Sequence, residues 1–504
     1  MKNSLTKILS RARAGLALGF VLASLAGTAH AQGEGAAAQA TPPPPAAPRP
    51  VTVPKPVERT LRNGLRVIVV EHHATPLVAA QVLVKNGGEV DPENLSGLSD
   101  MTAELLTKGT KTRTAPQIAQ EIEALGGELN SGAGWDASRA TVNVLSAKAE
   151  PAMTILADVV RNPVFQQEEI ERLRQQYTDS ISVGMNSPGT LASWVASRVV
   201  FGDEPYGHPV SGTAESVERI KREDVAALHS KYYRPANAIL VIGGDIKADE
   251  AFRLAEKSFG DWANPSTPPT ESVYVTARQG EAKQRIVVVD MPGAGQAAVL
   301  FARRGIARTD PDFFSGIVAN SVLSGYSGRL NQEIRIKRGL SYGARSSLDV
   351  RRNAGPFVAS AQTKNQSGAE VASLLVGELT RLSSEPVVEA ELTPRKAVLI
   401  GGFGRTLETT EGIVAQIASL ALYGLNLGEI NNYVTNVQAV TAPQIQKFAG
   451  SRLGVADSNI VIVGDAKDFI EPLRKQFRNV EVIKREELDL NSGSLRKPAQ
   501  GATK

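Results

Sequence analysis

The chain is 504 residues long, 42% hydrophobic and 21% charged, which is ample for large buried cores and excludes a fibrous or wholly disordered protein. It holds no cysteine, so disulfide scaffolds, thiolate zinc sites, iron-sulfur clusters and cysteine nucleophiles are all excluded, and any metal would need His and carboxylate ligands. The formal charge of +4 has a local source, because residues 1 to 13 carry Lys2, Lys7, Arg11 and Arg13 and no acid.

These cations precede an apolar run from Ala14 to Gly27 and then Ala29-His30-Ala31, the pattern of a secretory signal peptide (1–31) cleaved after Ala31. The apolar run is too short to span a bilayer, so no stable membrane anchor is expected. Removing thirty-one residues and four cations leaves 473 residues with no net charge, and a periplasmic location follows. Residues 32–56 are rich in Ala and Pro and read as a linker, with folded structure expected from Val57. Asn63-Gly64 before the β-branched run Arg66 to Glu71 predicts a hairpin entering a strand, and Val78 to Val84 predicts a second strand. Leu98, Met101, Leu105 and Leu106 set a helix over Gly97 to Lys108, stopped at Gly109.

Self-similarity divides the rest. Arg66 to Glu71 matches Arg285 to Asp290, Ser96-Gly97 matches Ser315-Gly316, and Leu240 to Asp245 matches Ile460 to Asp465, at offsets of 219, 219 and 220 residues. Three agreeing registrations predict two copies of one α+β unit, over 57–264 and 272–485, joined by a linker at 265–271 and followed by a polar, loose tail over 486–504. The chain carries no phosphate-binding G-x-x-x-x-G-K-[ST] string. Six basic residues between Arg335 and Arg352 oppose only Asp349. Without aromatic platforms or a domain-wide positive excess they predict no nucleic-acid partner, and they read as a solvated face or the wall of an acidic-peptide chamber. His72 and His73 follow a strand and read as surface residues, and His208 beside a proline reads as structural.

The stretch Gly97 to Thr110 resembles the zinc helix of the pitrilysin and insulinase family of metallopeptidases, family M16, whose usual form is G-L-A-H-x-x-E-H-x-x-x-x-G-T. Gly126-Gly127-Glu128-Leu129-Asn130, Asn162-Pro163-Val164-Phe165, Tyr206-Gly207-His208-Pro209, Tyr233-Arg234-Pro235-Ala236-Asn237 and Arg335 to Tyr342 extend the likeness over about Val57 to Val480. The resemblance implies two homologous αβ domains in tandem, of the type found in the mitochondrial processing peptidase, forming half of a clamshell. It also implies a zinc held by two imidazoles at i and i+4, with a Glu at i+3 as general base. Asp100, Glu104 and Ala103 stand at those positions, and counting to the family's third ligand leads to Ser180, so no metal and no cofactor is expected on this chain. Asp100 and Glu104 alone suit only a weakly bound hard cation, and the bland reading is a polar helix face.

The family's substrate-binding pair is an Arg seven residues before a Tyr. Arg335 and Tyr342 stand at that spacing, where the resemblance implies that they hold peptide substrate, against the alternative of a helix-capping Arg and a packed Tyr. The expected function is therefore the non-catalytic, substrate-binding subunit of a periplasmic heterodimeric zinc peptidase, with zinc in a partner M16B subunit. The alternative is a stand-alone inactive homologue that binds peptides or assists assembly.

Overall fold

A computed structural model describes residues 52–265, 284–456 and 458–497. The Asn63-Gly64 turn closes with Gly64 at φ 93°, a conformation that glycine adopts without strain. It joins β1 (Val57–Thr60) to the antiparallel β2 (Arg66–Glu71). With β3 (Leu77–Val84), β4 (Glu128–Ala133), β5 (Ser138–Leu145) and β6 (Ala238–Gly244) these strands form a sheet of order β1-β2-β6-β3-β5-β4. The second half supplies β7 (Ile286–Asp290), β8 (Ala297–Arg304), β9 (Ser341–Leu348), β10 (Pro356–Thr363), β11 (Asn459–Gly464) and β12 (Val480–Lys484), in the order β12-β7-β11-β8-β10-β9. Without the outer strands β1 and β12, the two orders are one pattern. Both halves pair their first and last common strands in parallel, β2 with β6 and β7 with β11. The duplication expected from the offsets of 219 and 220 residues is thus a duplication of topology.

Each sheet is buried on both faces, which is why its inner strands read as unbroken apolar runs rather than alternating ones. In β2, Val67 and Val69 enter the first core, against Met101, Leu156 and Leu254 from the helices Leu98–Leu105, Ala149–Arg161 and Ala248–Phe259. The intervening Ile68 and Val70 face the other way, onto Ile413, Val414 and Ile417 of the helix Thr410–Leu422, which belongs to the second half. The exchange is reciprocal. Leu191, Ala192 and Val195 of the helix Pro188–Phe201, from the first half, pack on Val287, Val289, Leu300 and Val461 of the second sheet.

Two boundaries differ from the sequence expectation. Packing starts before Val57: Val53 is buried, its N–H donates to Asn431 Oδ1 at 2.8 Å, and its carbonyl accepts Asn431 Nδ2 at 3.0 Å. The segment after Glu486 is not loose either. Leu488, Leu490 and Leu495 are buried against the second sheet, and Arg198 Nε donates to the Leu490 carbonyl at 2.6 Å. Three leucines at irregular spacing give no periodic signal, yet they bury enough apolar surface to fix an otherwise polar segment. The expected signal peptide, the linker up to residue 51, the connection at 266–271 and the chain end from 498 lie outside the described residues. No helix among the described residues is long and apolar enough to cross a membrane.

Candidate functional site

The helix Leu98–Leu105 opens at Gly97, φ 94°, and is capped from a distance. Asp91 Oδ2 accepts the Gly97 N–H and its Oδ1 the Ser99 N–H, each at 2.8 Å, placing an acceptor on two of the orphan donors of the first turn. Asp100 and Glu104 lie one turn apart on this helix, as their spacing predicts. Asp100 Oδ2 accepts the Tyr177 hydroxyl at 3.0 Å and Oδ1 the Ala133 N–H of β4 at 3.4 Å. Burial lifts the Asp100 carboxyl above its ordinary range despite these donors. Burial and the Asp100 charge lift Glu104. Ala103 is fully buried and offers no base.

Ser180 does not join them. The helix Gln167–Met185 turns Ile170, Leu173, Tyr177, Ile181 and Gly184 inward, at spacings of three and four, and this phase leaves Ser180 exposed on the outer side. The residue facing the degenerate pair is Tyr177, which counting along the sequence passed over although the apolar stripe carries it. A phenol donates to a carboxylate where a metal ligand would be required, and no group of three or more His, Cys, Asp or Glu among the described residues could hold an ion. The donor set does not fit zinc.

The second half has a different surface. Arg335 lies within a widened, π-helical turn over Gln332–Lys337, and Gly339 at φ 64° reverses the chain into β9, the outermost strand of its sheet. Arg335 and Tyr342 line one cleft of about 870 Å³ between β8–β10 and the start of the helix Pro188–Phe201. Tyr342 is 89% exposed, which removes the reading as a packed strand residue. The Arg335 guanidinium stands 5.4 Å from the ring centroid of Tyr326, itself 72% exposed, and Tyr326 lines the same cleft. Tyr326 escaped the sequence reading, although an aromatic set among small residues in Ser324-Gly325-Tyr326-Ser327-Gly328 is the signal that could have found it.

The basic segment from Arg335 to Arg352 is not one face. Lys337 and Arg338 pair with Glu333 at 2.8 and 2.9 Å. Arg351 is buried over the rings of Trp135 and Tyr206, at 4.5 and 4.7 Å, and the Arg352 N–H donates to Asp136 at 2.7 Å. Only Arg335 and Arg345 reach the cleft. Among the histidines, His208 is buried against the Pro209 and Gly88 carbonyls and pushed down to about 4 by burial, so it is structural as expected. Exposed His73 sits between Asp245 and Glu71 at 2.7 and 3.4 Å, and the Asp245 hydrogen bond leads in raising its pKa.

Comparison with known proteins agrees with this geometry. The insulinase (peptidase family M16) model matches residues 66–213 and the model of the peptidase M16 inactive domain matches 219–399, together about two thirds of the chain. An uncharacterised zinc protease of Mycobacterium leprae is 29% identical over 77% of this chain and 87% of its own. One from Mycobacterium tuberculosis H37Rv is 27% identical over 79% and 91%. Among solved structures, a peptidase M16 inactive domain from Pseudomonas fluorescens superposes with a TM-score of 0.76 at 27% identity, over 81% of this chain and 98% of that one. A protease from Helicobacter pylori shares the fold, with a TM-score of 0.76 at 21% identity over 82% and 100%. With both halves matched in order and no histidine pair on its first helix, the chain belongs to the peptidase family M16 and lacks that family's catalytic motif.

Proposed function

We propose that this chain is the substrate-binding, non-catalytic subunit of a periplasmic heterodimeric M16 zinc peptidase. The observation that carries the reading is the contrast between its two halves. The Asp100 and Glu104 face is closed by Tyr177, whereas Arg335 and Tyr342 share an open cleft with the phenol almost wholly exposed. A guanidinium and a phenol can both donate to a peptide carbonyl, and they hold it most firmly when negative charge develops on its oxygen. The outer edge of β9 offers unpaired backbone groups beside them, so a peptide held there as an added strand would meet both donors. Hydrolysis would require the metal of a second subunit, and the signal-like N-terminus supports a periplasmic place for the pair.

The test is co-purification of the mature chain with the product of a neighbouring gene that carries H-x-x-E-H, followed by cleavage of a quenched peptide by each chain alone and by both. The expected result is activity only from the pair, falling about a hundred-fold in Arg335→Ala and in Tyr342→Phe. Zinc-dependent cleavage by this chain alone would overturn the reading. Peptide binding without any such partner would favour a stand-alone binding protein.

A further inference from the structure

We infer that the cleft holding Arg335 and Tyr342 selects peptides bearing carboxylate side chains, with Arg345 as the second cation that reads them; this rests on the peptide-binding reading above. Among the residues lining the cleft, Arg335 and Arg345 carry charge and no Asp or Glu is present. Neither arginine forms an ion pair with another described residue, in a protein where most arginines do. The acids nearest in sequence are already engaged: Glu333 by Lys337 and Arg338 at 2.8 and 2.9 Å, and Asp349 by Arg351 at 2.6 Å.

Strand register explains why Arg345 faces the same space as Tyr342. Arg345 lies opposite Ser360 of β10, and Ser360 lies opposite Leu300 of β8, so these three form a row across the sheet on the face toward the helix Pro188–Phe201. Strict alternation would turn Tyr342, three residues earlier, to the opposite face. The register shift between Ala361 and Thr363 breaks that alternation, and Tyr342 lines the cleft as well. The first turn of the helix, through Gly189 and Thr190, forms the facing wall and adds the positive end of its dipole.

The charge is not a consequence of the fold. The matching cleft of the first half, about 560 Å³ between β3–β5 and the helix Thr410–Leu422, is lined by Asp136 and Glu411 as well as Arg139. Two clefts built from one topology therefore differ in sign. A strand added along β9 would turn alternate side chains toward Arg345, and a carboxylate there would gain a charge-assisted bond that a neutral amide would not.

The experiment measures fluorescence anisotropy of the mature chain with two labelled extended peptides of about ten residues, long enough to run the length of β9, identical except that alternate positions are Glu in one and Gln in the other. The Glu peptide is expected to bind about ten-fold more tightly at low salt, with the advantage shrinking as salt is added and vanishing in Arg345→Gln, which still binds the Gln peptide. Equal binding of the two peptides by the parent chain would overturn the charge selection and leave peptide binding standing. Binding of neither would overturn peptide binding by this cleft itself. Preference for Glu that survives in Arg345→Gln would remove Arg345 from the role.

Discussion

Glu104 and Asp100 stand where the family places imidazoles, and their carboxyls are held on the side of protonation. For Glu104 the causes are burial and the adjacent Asp100 charge. A carboxyl whose pKa is higher folded than unfolded costs stability when it ionises. From the ordinary 4.5 upward to the raised value the folded state binds more protons, so stability is greatest below that window and falls as pH rises through it. Glu104→Gln removes the cost. The variant should unfold at a higher temperature than the parent at neutral pH, by about 0.5 kcal/mol after discounting for partial exposure, and the gap should close below the window. A variant less stable at neutral pH would mean that the carboxylate holds a cation. Tyr177→Phe should act in the opposite sense on Asp100, removing a donor that favours its charged form and costing about 1 kcal/mol in thermal unfolding. Arg335 and Tyr342 were legible in the sequence because a motif fixes their spacing locally. Tyr177 and Arg345 were not, since one depends on the phase of a helix and the other on the register that pairs β9 with β10.

The helices Pro188–Phe201 and Thr410–Leu422 each cover the sheet of the other half, and this is the element that sequence reading lacked altogether. The runs Val67 to Val70 and Ile286 to Val289 do reveal strands buried on both faces, but not what lies on the second face. The contact is close. A Cβ added at Gly243 of β6 would approach Val414 Cγ2 to 2.7 Å, so the glycine lets the foreign helix sit down on the strand. Leu191→Ala should therefore remove about 2–5 kcal/mol, and the loss should be felt across the domain boundary. Hydrogen exchange in β8 and β11 of the second sheet should accelerate at least as much as in the first sheet. Acceleration confined to the first half would mean that the helix packs with its own domain in solution.

At the scale of the molecule the two halves meet around one buried acid. Asp136 accepts the Arg352 N–H at 2.7 Å and the Tyr423 hydroxyl at 3.1 Å from the second half, and the Tyr206 hydroxyl from the first. Arg351 stacks beside it on Trp135 and Tyr206. Together with two exchanged helices, this leaves little of the cohesion to the covalent connection between residues 265 and 284. A protease site inserted between residues 266 and 283 should accordingly be cut without separating the halves, which should co-elute on size exclusion at the mass of the intact chain. Asp136→Ala leaves two phenols and a backbone N–H without their shared acceptor, at about 1–3 kcal/mol for each group that stays buried, and in the cut protein that loss falls on the association itself. The cut variant should dissociate at a lower urea concentration than the cut parent, while both uncut proteins stay whole under the same conditions. Separation of the parent halves on cutting alone would show that the connection, rather than the exchanged helices, holds the Arg335 cleft against the wall that the first half builds for it.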